Sequence, residues 1–185
     1  MDANAKNRLK MIILTLLTVF LLLTTAYFYY VNRVESEKTL KKEAYMATVA
    51  IKYISIRAYH MHRAYANYTG DMEEFKIKLR YDRQEVITYL NFSISVLEDA
   101  RKRCDSLGLN HVGLDGNIAA YKKLRDFLLE NWGNTSKVIP VTGYLVTHYD
   151  NFEAMCFDVS YAECCFNYNY DDSELIEEAL EHAPP

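Results

Sequence analysis

Residues Met11 to Tyr30 read MIILTLLTVFLLLTTAYFYY, an apolar run without charge, proline or glycine. Such a run folds as a helix, because only a helix satisfies its own backbone groups away from water. At ~1.5 Å per residue it spans ~30 Å, the thickness of a bilayer's hydrocarbon core. Thr15, Thr18, Thr24 and Thr25 are its only uncharged polar side chains other than tyrosine. A helical threonine can bond its own backbone. Tyr27, Phe28, Tyr29 and Tyr30 close the run as an aromatic belt closes a span at the headgroups. The expected anchor is therefore residues 11–30, marked by Met11, Leu17, Phe20 and Tyr30.

Three readings compete for this run. Lys6, Arg8 and Lys10 form a basic lead, and Thr24-Thr25-Ala26 resembles a signal-peptidase site. Cleavage after Ala26 would release a secreted protein. The run continues through Tyr30, however, and exceeds a usual signal core. A buried soluble helix would need apolar neighbours on every side, more than a domain this size supplies. An uncleaved single-pass signal-anchor is the favoured reading. Residues 1–10 then form a short basic cytoplasmic tail, and the main domain lies outside.

After the anchor about 155 residues remain, enough for one domain with a core. Proline (3) and glycine (6) are scarce, which favours long helices over many turns. The net charge of −4 hides an asymmetry. From Val138 to Pro185 there is no lysine or arginine, while acids recur from Asp150 to Glu181. A basic half and an acidic end can attract each other or face different partners, and the acidic end argues against nucleic acid as a ligand for that end. Of four cysteines, Cys104, Cys156, Cys164 and Cys165, none forms a CxxC pair. Zinc-ribbon, redox and haem motifs are thus missing, and a structural disulfide from Cys104 to Cys164 or Cys165 is expected. Asn67, Asn91 and Asn134 begin glycosylation sequons, of which about one or two are expected by chance.

Along the chain, Leu40, Ala44, Ala47, Ile51, Ile54, Ala58, Met61 and Tyr65 recur in steps of four and three. This coiled-coil-like heptad seam predicts a helix continuing to about Ala66. It is either an internal packing face or an interaction seam for a second copy. Gly70 and Asp71, with Glu74, predict a stop and a new cap. A second helix is expected over about 72–106. Gly108, Gly113 and Gly116 are read as a loop, and a third helix over 117–132. Residues 133–140 are read as a connection, with Thr142 capping a fourth helix that carries Leu145, Tyr149, Phe152, Cys156 and Val159. Residues 161–170 fit neither state clearly. A last acidic helix is expected over 173–182. The fold class is all-α: a single N-terminal transmembrane helix continuing into an up-and-down helical bundle. The bundle is assigned to 31–170, and the acidic helix and tail to 171–185. The layout resembles the outer half of a membrane-anchored helical sensor, although no second span returns the chain.

Catalytic signatures are absent. His60 and His62, two apart, diverge on a helix, and His111, His148 and His182 are scattered, so no metal site is expected. No phosphate loop, GxSxG elbow or HExxH motif occurs. Glu177 and Glu178 fit a solvated face. A non-catalytic protein without a cofactor is expected. It would act by protein–protein interaction or assembly at a lipid bilayer, with a homo-oligomer among the options. The alternatives are a sensor or ligand-binding bundle and the secreted form. The acidic segment from Asp171 to Glu181 is read in two equally weighted ways: docked on the chain's own basic residues, Arg101, Lys102, Arg103, Lys122, Lys123 or Arg125, or a solvated terminal helix that keeps the protein soluble.

Overall fold

The computed structural model describes residues 3–148 and 172–185. It is all-α among them, with helices α1 (Ala3–Ala66), α2 (Met72–Leu107), α3 (Val112–Asn131), α4 (Thr135–His148) and α5 (Asp172–Glu181). The chain divides into two units, Met1–Thr39 and Leu40–Pro185, and α1 contributes to both.

The first unit is helical, and its apolar side chains stand exposed, Met11, Leu17, Phe20 and Tyr30 among them. The helix is long and apolar enough to cross a membrane. Its threonines turn inward on the backbone: Thr15 donates to the Met11 carbonyl and Thr18 to that of Leu14, each at 2.9 Å. Thr24 and Thr25 do the same towards Phe20 and Leu21. The hydroxyls thus present no unmet hydrogen bond to an apolar surround.

The second unit is an up-and-down bundle of α1's C-terminal part with α2 to α5. Its core contains the α1 seam: Leu40, Ala44, Ala47, Ile51, Ile54, Ala58 and Tyr65 are buried, and Met61 packs against them. The seam residues therefore belong to the chain's own core and are not open to a second copy. The small alanines admit neighbouring helices closely. On α2, Val86, Leu90, Ile94, Leu97, Ala100 and Cys104 form the facing stripe.

The helix ends follow local chemistry. Asp71 caps α2, accepting from the amides of Glu73 (2.8 Å) and Glu74 (3.0 Å). Gly108 closes it at φ 65°, and the Leu109 amide reaches back to the Cys104 carbonyl at 3.0 Å. Only glycine takes that backbone without strain.

Two boundaries differ from the sequence expectation. Gly113 lies in the first turn of α3 and Gly116 in the next, because α3 starts at Val112. Burial of Leu114, Asn117 and Ile118 outweighs glycine's modest helix cost. The expected connection at 133–140 is largely helix: α4 starts at Thr135, with Pro140 inside it. Asn134 caps this helix, accepting from the Lys137 amide at 3.3 Å. Pro140 and Ser136, whose carbonyl loses its helical donor, are both exposed, so water can replace the bond. Val138, Val141 and Leu145 on the other side are fully buried. Thr142 is consequently an interior residue, its hydroxyl donating to the Val138 carbonyl at 2.7 Å. The expected continuation of α4 through Tyr149, Phe152, Cys156 and Val159 lies outside the described residues, as does the segment 161–170.

Candidate functional site

Beside its apolar seam, α1 carries a second, polar one. Thr48, Lys52, Ser55 and His62 are all buried, one helical step round from the core residues. Ser55 spends its hydroxyl on the Ile51 carbonyl. Lys52 and His62 instead reach across to other helices, and each organises a cluster.

The first cluster fixes α5. Lys52 Nζ lies 2.9 Å from Asp172 Oδ1, with side chains only 5% and 7% exposed. Tyr121, buried on α3, donates its hydroxyl to Asp172 Oδ2. The Asp172 amide donates to Asn117 Oδ1 at 2.8 Å. One aspartate thus ties the start of α5 to α1 and α3. Its charge also sits at a helix N-terminus, where the macrodipole favours an anion. Ile176 and Ala179 of α5 are fully buried, with Leu175 and Leu180 packed at the edge. Outside, Glu177 meets Lys123 at 2.5 Å and Glu178 accepts from Tyr144 at 2.7 Å. That bond pushes the Tyr144 hydroxyl pKa up.

The acidic helix therefore does dock on the chain itself. Of the basic residues expected to receive it, Lys123 alone does so among the described residues. Arg101 pairs with Asp115, Arg103 with Glu43, Lys122 with Glu98, and Arg125 with Asp126. The principal partner, Lys52, is missed in the sequence because a lysine ordinarily reads as solvated. Its place one helical turn after Thr48 and three residues before Ser55 is the available signal.

The second cluster joins α1 to the end of α3. His62 is fully buried, with Nδ1 2.8 Å from the Ala58 carbonyl oxygen and Nε2 2.9 Å from that of Trp132. A neutral imidazole donates from one nitrogen only, so one of these carbonyls goes unanswered until the ring is protonated. Burial lowers the His62 pKa, against the upward pull of the two carbonyls and of Asp82. The ring meets Trp132 and Tyr65 edge-on. Trp132 in turn donates its indole N–H to the Leu79 carbonyl at 3.0 Å, reaching α2. Tyr65 donates to Asp82 at 2.5 Å, and burial with that bond raises the phenol pKa strongly.

A third group closes the α2–α3 turn. His111 stands between Asp115 (Nδ1, 2.8 Å) and Asp105 (Nε2, 2.8 Å). The Asp115 bond, with Asp105 in support, raises the His111 pKa. Burial pushes the Asp115 carboxyl up, but bonds from Arg101 and His111 hold it below the usual range.

Among the described residues no group of three histidine, cysteine or acidic side chains is placed to hold a metal. His60 is exposed while His62 points into the core. Cys104 is fully buried on α2, whereas Cys156, Cys164 and Cys165 lie outside the described residues. The expected disulfide therefore lies partly outside them too. No protein-family model matches the chain, and no curated protein or solved structure is significantly similar to it.

Proposed function

We propose that this chain is a non-catalytic, membrane-anchored helical module that assembles with a second copy of itself. Residues 11–30 hold it in the bilayer. The basic tail, with Lys6, Arg8 and Lys10, stays on the cytoplasmic side, and the bundle works outside. The observation that carries the assembly reading is the outer face of α2. Ile77 (57% exposed), Tyr81 (68%) and Phe92 (68%) stand in water on it. Gln84, Thr88 and Ser95 continue the same line, so it bears no charge over about five turns.

A charge-free stripe meets no like-charge repulsion when it packs on its own copy about a two-fold axis. Anchoring in one bilayer raises the effective concentration of copies and keeps their axes roughly aligned. The α1 seam and the acidic helix are both engaged internally, so neither offers the contact.

The test is energy transfer between donor- and acceptor-labelled full-length chains in lipid vesicles at low surface density. Transfer above the random-encounter level is expected for the wild type, and its loss for Tyr81→Glu combined with Phe92→Glu. Random-level transfer in the wild type, or unchanged transfer in the variant, would reject the proposal.

A further inference from the structure

A cleft of about 430 Å³ lies where α2 passes the end of α3. Its two sides carry opposite charge. From α2, Lys76, Arg80 and Arg83 project at four- and three-residue spacing, on one face. From α3 comes Glu130, and the helix ends there, with its carbonyl-rich, negative pole. Between them lie Leu79 and Leu129, with the almost wholly buried Trp132 behind them.

The charges are not equally committed. Lys76 is engaged with Glu73 at 2.7 Å. Arg83 gives one N–H to the Leu129 carbonyl at 2.7 Å. Arg80 and Glu130 hold no hydrogen bond or ion pair among the described residues. A cation from α2 and an anion from α3 thus line one cleft, and neither is spent on a partner among the described residues.

We infer that this cleft binds a small zwitterion with an apolar body, of the class of an aliphatic α-amino acid. The carboxylate goes to the Arg80 guanidinium, whose fork matches it in two bonds. The ammonium goes to Glu130 and the end of α3. The side chain lies on Leu79 and Leu129, over the buried Trp132. The volume falls within the range of small-ligand sites. A plain anion would leave Glu130 repelling it, and a plain cation would meet Arg80. Only a ligand carrying both charges answers both walls.

Trp132 also supplies the readout, since it is the only tryptophan in the chain. Full-length protein, one copy per lipid nanodisc, is titrated with leucine while the indole emission is followed. Isolated copies keep the result independent of self-association.

Leucine is expected to give a saturable change. Leucinamide, lacking the carboxylate, and N-acetylleucine, lacking the ammonium, are expected to need about tenfold more ligand or worse, as befits loss of a charge-assisted bond. Arg80→Gln and Glu130→Gln should each shift the leucine midpoint about tenfold. Both side chains are exposed, so the helical circular-dichroism signal should stay unchanged.

A flat leucine titration in the wild type would overturn the inference. So would equal binding of leucine and N-acetylleucine, or midpoints that neither variant moves. If inorganic phosphate saturates the same signal as tightly as leucine, the site is a simple anion site, and the zwitterion is rejected.

Discussion

Replacing Asp172 with asparagine keeps the volume, and the new side chain can still accept from Tyr121. What disappears is the negative charge 2.9 Å from Lys52 Nζ. Both groups are almost wholly buried, so water cannot take over. Removing one member of such a pair costs about 3–5 kcal/mol. The loss should fall first on α5, which is short and is held otherwise by Ile176 and Ala179 with Leu175 and Leu180 at the edge, the Asn117 and Tyr144 hydrogen bonds, and the exposed Lys123–Glu177 pair. That surface pair contributes at most ~1 kcal/mol.

Native-state hydrogen exchange of the full-length chain in micelles is the assay. Amide protection in α5 should fall by about two orders of magnitude or more, since each 1.4 kcal/mol is a factor of ten. Glu174→Gln, an exposed change in the same helix, should leave protection within about threefold. Removing both charges, with Lys52→Met added to Asp172→Asn, should cost less than the sum of the single changes, because neither is then left facing an absent partner. If Asp172→Asn and Glu174→Gln behave alike, the pair does not hold α5 and the reasoning fails.

Other outcomes can be checked separately. The full-length chain should stay with membranes through carbonate extraction, and its recovery in the soluble fraction would refute the anchor. The two buried or bridged histidines should give opposite pH dependence around the ordinary value of 6.5. His111 has a raised pKa, so its contribution is full below 6.5 and is lost as pH rises through the higher folded value; His111→Gln should abolish that loss in thermal melts. His62 has a lowered pKa, so its contribution is full above 6.5 and is lost as pH falls through the lower folded value; His62→Gln should flatten the acid side instead. Mass mapping should find Cys104 joined to Cys164 or Cys165, a closure of about sixty residues that contributes on the order of 4 kcal/mol; an alkylatable Cys104 in unfolded, unreduced protein would reject it.

Much of this architecture is legible from spacing. The α1 seam, the apolar stripe of α2, the Asp71 cap and the apolar edge of α5 all follow from periodicity and local hydrogen bonding. What periodicity does not reveal is where a residue breaks its usual rule for a tertiary reason. Pro140 signals a break, yet the helix tolerates it because the freed carbonyl faces water while Val138, Val141 and Leu145 fill the core. Gly143 permits the close approach of α4 to α1, where a Cβ would come within 3.1 Å of the Tyr59 ring. Lys52 and His62 look like surface residues by type. Their burial depends on partners, Asp172 and Trp132, that stand 120 and 70 positions away.

The polar seam of α1 also sets what the bundle can do mechanically. Apolar heptad faces are nearly periodic, so one helix can slide along another by a turn and still find hydrophobic neighbours. A slide of ~5.4 Å along the axis would carry Lys52 past Asp172 and draw the His62 ring off the Trp132 carbonyl. Two unlike polar contacts, ten residues apart on one helix, act as index marks that no shifted register reproduces. The bundle should therefore resist axial sliding of α1 against α3 and α5.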